Sequence, residues 1–157
     1  MVLTFSSVIG TVSSGANTTG PDGAHGGPST DMNSINGISG IKDGSSGFFL
    51  IGVFESNLEP MNPAPGRLDF SSGGLTESFL TLSPALNQTF FVGDGLTGTG
   101  SGLVQQFRIP DGATRFFLGF ADGNSMGINS DLYNYHGVPG YYGDNTGSLT
   151  ATFTIVP

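Results

Sequence analysis

From Ser148 to Val156 apolar and polar side chains alternate without a break: Leu149, Ala151, Phe153 and Ile155 fall on one face, Thr150, Thr152 and Thr154 on the other. A period of two sends successive side chains to opposite faces of a sheet, so this segment reads as a half-buried antiparallel strand. Helical periodicity is scarce elsewhere. Further runs rich in β-branched and aromatic residues lie at 2–12, 47–54, 88–92, 103–109 and 114–120, bounded by Gly, Pro, Asp or Asn. Phe48-Phe49-Leu50-Ile51 is apolar throughout and suits a central strand. Weaker strands are expected at 67–70 and 75–80, the second readable also as a short helical turn. No strand–helix–strand alternation appears, which argues against a parallel sheet. The expectation is an all-β protein: an antiparallel β-sandwich of jelly-roll type, in a single domain over 1–157.

Composition narrows what such a sandwich does. Thirteen Phe supply a core, while only 10% of residues are charged, against about 25% in a typical soluble domain. The net charge is −8 with four basic residues. That argues against a nucleic-acid partner, because phosphates are neutralised by Lys and Arg. The acidic balance fits cation binding and plain solubility equally well. Without Cys there is neither a disulfide nor a thiolate metal ligand. No apolar run approaches the roughly 18 residues of a membrane helix. Met1 is followed by neither a basic segment nor a long apolar run, so no signal peptide is expected within this sequence.

Two stretches, 13–46 and 121–147, exceed the length of ordinary connections; loops beyond about 12–15 residues in a compact domain are usually functional or disordered. Both are rich in Asp and Asn, and we expect them to be ordered and to meet, a buried cation being one way of ordering them. Asp122-Gly-Asn-Ser-Met126 opens like an EF-hand loop but has Met126 at the fifth position and Tyr133 at the twelfth, where that loop needs oxygen ligands. Asp144-Asn145 reads first as an Asx turn and second as a pair of oxygen ligands for a hard cation. Asp122, at the end of the 114–120 strand, is a cap by default. Neighbouring carboxylates on Asp122 and Asp144 would favour a cation between them. His25 and His136 are expected in solvent, and Tyr133, Tyr135, Tyr141 and Tyr142 either stack on a sugar face or pin their loop. No nucleophile elbow, P-loop or dinucleotide fingerprint is present, so an enzyme is not expected.

The segment Gly137-Val-Pro-Gly-Tyr-Tyr-Gly-Asp-Asn-Thr-Gly-Ser148, running into the final strand, resembles the small calcium-dependent galactophilic lectins of bacteria. There a strand ends in an acidic residue and Val-Pro-Gly-x-Tyr-Gly-Asn-Asn-x-Gly-Ser follows. Thr19-Gly20-Pro21 is similar to that family's x-Gly-Pro, whose first residue offers a main-chain ligand. The resemblance implies a galactose-binding-domain-like sandwich. It implies Ca2+ held by main-chain oxygens of Thr19 and Tyr141 and by the side chains of Asp144 and Asn145. Gly137 stands where the family has a carboxylate, and Asp122, before the insertion 123–136, is read as its replacement. Sugar hydroxyls then complete the coordination, with Asp31, Asn33 and Asn36 nearby as hydrogen-bonding partners alongside Asp122 and Asp144.

Other pieces, among them Gly20-Pro-Asp-Gly23 and Ile109-Pro-Asp-Gly-Ala-Thr-Arg115, resemble the extracellular domain of PEP-CTERM proteins. That resemblance implies a secreted or cell-surface location. The functional expectation is an extracellular, calcium-dependent carbohydrate-binding domain. The rival expectation is a matrix or filament-forming protein in which calcium staples the loops and copies of the chain assemble.

Overall fold

Residues that favour a pleated, half-buried surface organise the chain almost entirely into strands. The computed structural model describes residues 1–15, 17–26, 29–122 and 143–157, and these contain no helix. In chain order the strands are β1 (Val2–Ser14), β2 (Asn17–Thr19), β3 (Ala24–His25), β4 (Thr30–Asp31) and β5 (Ile41–Asp43). They continue with β6 (Ser46–Gly47), β7 (Leu50–Glu55), β8 (Leu68–Asp69), β9 (Thr81–Leu82) and β10 (Thr89–Phe91). The last are β11 (Leu96–Gly98), β12 (Ser101–Val104), β13 (Gln106–Arg108), β14 (Arg115–Phe120) and β15 (Asn145–Val156).

Two sheets pack on each other. The larger runs β15-β1-β13-β9, with β2 also on β1; the smaller runs β10-β7-β14. β11-β12, β3-β6 and β4-β5-β8 add small ribbons. The backbone of the larger sheet is the ribbon formed by β1 and β15, paired antiparallel from Val2↔Val156 to Ser14↔Asn145. A register shift between Phe5 and Ser7 makes Ser6 a bulge. The bulge changes which parity faces inward, so Leu3, Phe5 and Val8 are all buried. Between the sheets lies a Phe-built core. Phe107 of β13 meets Phe5 of β1 edge to face at 5.7 Å and lies 5.3 Å from Phe90 of β10. Phe54 of β7 stacks on Phe90 at 5.1 Å and sits 5.0 Å from Phe116 of β14.

Several expected elements are redrawn. The 103–109 run breaks at Gln105, which is fully buried. Its amide nitrogen donates to the carbonyls of Glu77 and Phe79 at 2.7 and 2.8 Å, fixing a stretch without strand pairing. The 75–80 run is therefore not a strand, and the strand forms one step later, at Thr81–Leu82. Two pairings are parallel despite the antiparallel expectation: β9 with β13 and β5 with β8. Both are two-residue ladders, too short to leave a periodic signature. The 13–46 stretch is not one long loop, since it holds β2 through β5 and the start of β6.

The inward face of β15 is only partly covered. Leu149 and Ala151 are half-buried, whereas Phe153 is 44% and Ile155 47% exposed. Phe153 and Ile155 line a cavity of about 450 Å³ between β14 and β15, together with Met1, Phe54, Phe116 and Leu118.

Candidate functional site

One end of the β1–β15 ribbon collects the oxygen donors. Ser14, the last residue of β1, pairs with Asn145 on one side and with Asn17 on the other. Its hydroxyl donates to Asp122 Oδ2 at 3.0 Å. Asp122 is buried directly after β14, its main-chain N–H donating to the carbonyl of Phe120 at 3.1 Å. Asp144, in the turn leading into β15, reaches the adjacent Gly15, where a Cβ would lie 3.5 Å from Asp144 Oδ2. Asn145 Oδ1 is buried and has no hydrogen-bond partner.

The segment 47–50 ties the two candidate loops to this end. Leu50 donates its N–H to the carbonyl of Pro21 at 2.8 Å, Phe48 to that of Ala121 at 3.0 Å, and Ala121 to that of Phe49 at 2.9 Å. Thr19 is buried and its hydroxyl donates to the carbonyl of Phe48 at 3.0 Å. Phe48 has φ 62, a left-handed conformation uncommon for so bulky a residue, held by these bonds and by stacking on Phe120 at 6.1 Å. The backbone strain thus sits where the segments of Thr19 and Asp122 meet. Thr19 pairs with Val12, two register steps from Ser14 and across β1 from β15. It is the outlying member of the group. Tyr141, like the rest of 137–142, lies outside the described residues.

The donor set is oxygen-only, with two carboxylates, an amide and a hydroxyl. That chemistry fits a hard cation, and the orphaned Asn145 Oδ1 is an acceptor suited to one. No group of three or more His, Asp or Glu side chains arranged to hold a metal occurs among the described residues. Any ion here therefore relies on amide, hydroxyl and main-chain oxygens beside the two carboxylates.

The three residues expected as sugar partners have other contacts. Asp31 forms an ion pair with Arg67, whose guanidinium also donates to the carbonyl of Met32 at 3.1 Å. Asn33 Oδ1 lies 3.5 Å from the same guanidinium. Asn36 (φ 49) and Gly37 (φ 80) form the tight turn closing the Ile35↔Ile38 bridge. Positive φ at both central positions is the type I′ signature that Asn-Gly serves. From that turn Ser39 donates to the carbonyl of Asn87, whose N–H donates to that of Phe54. This places the turn toward the Glu55 end of β7, whereas Asp122 lies beyond its Leu50 end.

A second acidic group was not visible in the sequence. His25 is exposed, as expected, and its Nδ1 lies 3.2 Å from Ser46 Oγ and 3.6 Å from Glu77 Oε2. Asp22 and Asp43 are buried beside them, and Asp22 Oδ1 accepts the N–H of Asp94 at 2.8 Å. Burial pushes the Asp22 carboxyl up, and burial followed by the charge of Asp43 pushes Glu77 up to about 7. These residues are dispersed between positions 22 and 94, so no local motif announces them.

The fold and the oxygen cluster together define an all-β sandwich with a candidate hard-cation site at one end of its longest ribbon. Compared with known proteins, the chain matches no family model, no curated protein and no solved structure. Among the described residues no helix is long and apolar enough to cross a membrane.

Proposed function

We propose that this chain is an extracellular calcium-dependent carbohydrate-binding domain. The observation that carries the reading is the gathering of Ser14, Asp122, Asp144 and Asn145 at the end of the β1–β15 ribbon, with Asn145 Oδ1 buried and unpaired. Calcium takes about 6–8 oxygens, so two carboxylates and an amide leave coordination places for main-chain carbonyls and for vicinal hydroxyls of a sugar. Selectivity then belongs to groups around Asp122 and Asp144 rather than to Asp31, Asn33 and Asn36, which serve Arg67 and a turn.

The test is a melting curve in chelator and in excess calcium, followed by glycan-array binding under both conditions. An ion at about 100 times its dissociation constant stabilises by roughly 2.7 kcal/mol, which for a chain of this size is a rise of about 5–10 °C. Asp144→Ala should melt like the parent in chelator and lose that rise. Calcium that shifts neither melting nor glycan binding of the parent sinks the reading.

A second reading is supported by the open seam between β14 and β15. There Phe153, Ile155 and Leu118 are 44%, 47% and 38% exposed. Self-assembly of a calcium-stapled matrix protein would use such a surface.

A further inference from the structure

We propose that Glu77 holds a proton toward the buried Asp43 carboxylate, which makes the hold of Glu77 on β5 sensitive to pH. Asp43 is fully buried. Its Oδ1 accepts the N–H and the hydroxyl of Ser45, both at 2.9 Å, while Oδ2 is buried with no partner. Glu77 Oε1 is likewise buried with no partner, and the Asp43 charge bears directly on Glu77. Both orphaned atoms are acceptors, and a proton on Glu77 makes it the donor that Asp43 lacks.

The surroundings favour a proton over two charges. Asp22, from the turn after β2, adds negative charge next to Glu77, and Asp94 lies behind Asp22 through its N–H. Ser46 of β6 lies 3.2 Å from His25 Nδ1, and His25 of β3 is 3.6 Å from Oε2. Lys42, beside Asp43 on β5, is engaged by Asp69 at 2.9 Å. Two further structural facts give the contact a consequence. Thr76, directly before Glu77, has φ 56, a conformation that a β-branched residue resists. Glu77 also walls a cavity of about 150 Å³ with Asp22, Ser78, Thr97 and Thr99. When the proton leaves, the facing carboxylates repel, Thr76 relaxes, and that wall gives way.

The sign follows from burial, which with the Asp43 charge raises Glu77 from 4.5 to about 7. A raised carboxyl holds its proton more tightly in the folded chain. Its stabilisation is complete below about 4.5 and is lost as pH rises through about 7.

The experiment is the melting temperature in chelator from about pH 5 to about pH 8.5, for the parent chain, Glu77→Gln and His25→Gln, with the Glu77 carboxyl carbon followed by NMR in the parent. The parent should lose several degrees across the range, and the Glu77 carbon should titrate near pH 7. Glu77→Gln, whose amide donates to Asp43 at every pH, should show a flatter profile, whereas His25→Gln should keep the fall. A Glu77 midpoint near its ordinary value overturns the proposal, as does a Glu77→Gln profile as steep as the parent's. If Glu77→Gln does not fold, the carbon titration of the parent decides alone. Calcium that stabilises Asp144→Ala at the alkaline end, and fails to stabilise Asp144→Ala combined with Glu77→Gln, would put a metal in place of the proton and overturn it too.

Discussion

Gly147 and Gly10 show how far single residues set the ribbon's geometry. Gly147 has φ 90, and a Cβ there would meet the carbonyl oxygen of Thr11 at 2.3 Å. Gly10 has φ 114, and its Cβ would meet the carbonyl oxygen of Ser148 at 2.2 Å. Each glycine lets the opposite backbone approach where a side chain would push it away. Gly147 also fixes the path of β15 just after Asp144 and Asn145, so the close approach sets where the two oxygen donors lie. Gly147→Ala should therefore cost about 1–3 kcal/mol from the unfavourable φ, with more from the clash, read as a lower urea midpoint. It should also weaken any calcium-dependent rise in melting temperature. A variant with the parent's midpoint would mean that the ribbon has another way to close.

At the scale of elements, the long strands and the short β8 and β10 were legible, whereas β2 to β5, β9 and β11 were not. The alternation of Leu149 to Ile155 placed β15 correctly, and the strand extends back to Asn145 because Ser14 of β1 still has a partner there. Phe48-Phe49-Leu50-Ile51 pointed to a central strand, and β7 does lie between β10 and β14, but it begins at Leu50 because Phe48 adopts a left-handed φ. The two-residue parallel ladders and the break at Gln105 depend on partners far along the chain, so no local pattern encodes them. The same division holds for the site. Ser14 as the partner of Asp122, and the charge of Asp43 acting on Glu77, follow from tertiary approach alone. The Ser6 bulge offers a direct check of this element-level logic. Deleting Ser6 restores a regular ladder in which Leu3, Phe5 and Val8 occupy alternate positions and still share the inward face. The deletion should therefore keep a cooperative melt, and Ser6→Ala, which keeps the extra residue, should melt within about 1 kcal/mol of the parent. A deletion variant without a cooperative melt would show that the bulge is needed for more than the inward parity.

For the whole molecule the open question is what the two sheet edges do. β14 ends one sheet and β15 the other, and among the described residues neither has a second strand partner. Edge strands present unpaired N–H and C=O groups, and here apolar side chains stand beside them. Leu118 of β14 and Ile155 of β15 line the same cavity. Opposing association is the net charge of −8, a repulsion that salt and bound cations reduce. The balance makes self-association a function of ionic conditions. Sedimentation of the parent at rising concentration should show assembly that grows with salt and with calcium. Lysine in an apolar seam both charges the edge and removes its burial. Leu118→Lys combined with Ile155→Lys should therefore remain monomeric while keeping the parent's circular dichroism. If the parent is monomeric at every concentration and salt level, the seam does not drive assembly and the matrix-protein reading fails, leaving the oxygen cluster beside Asp122 as the surface that matters. If parent and variant assemble alike, the contact runs through another face, and the long β1–β15 ribbon becomes the place to introduce charge next.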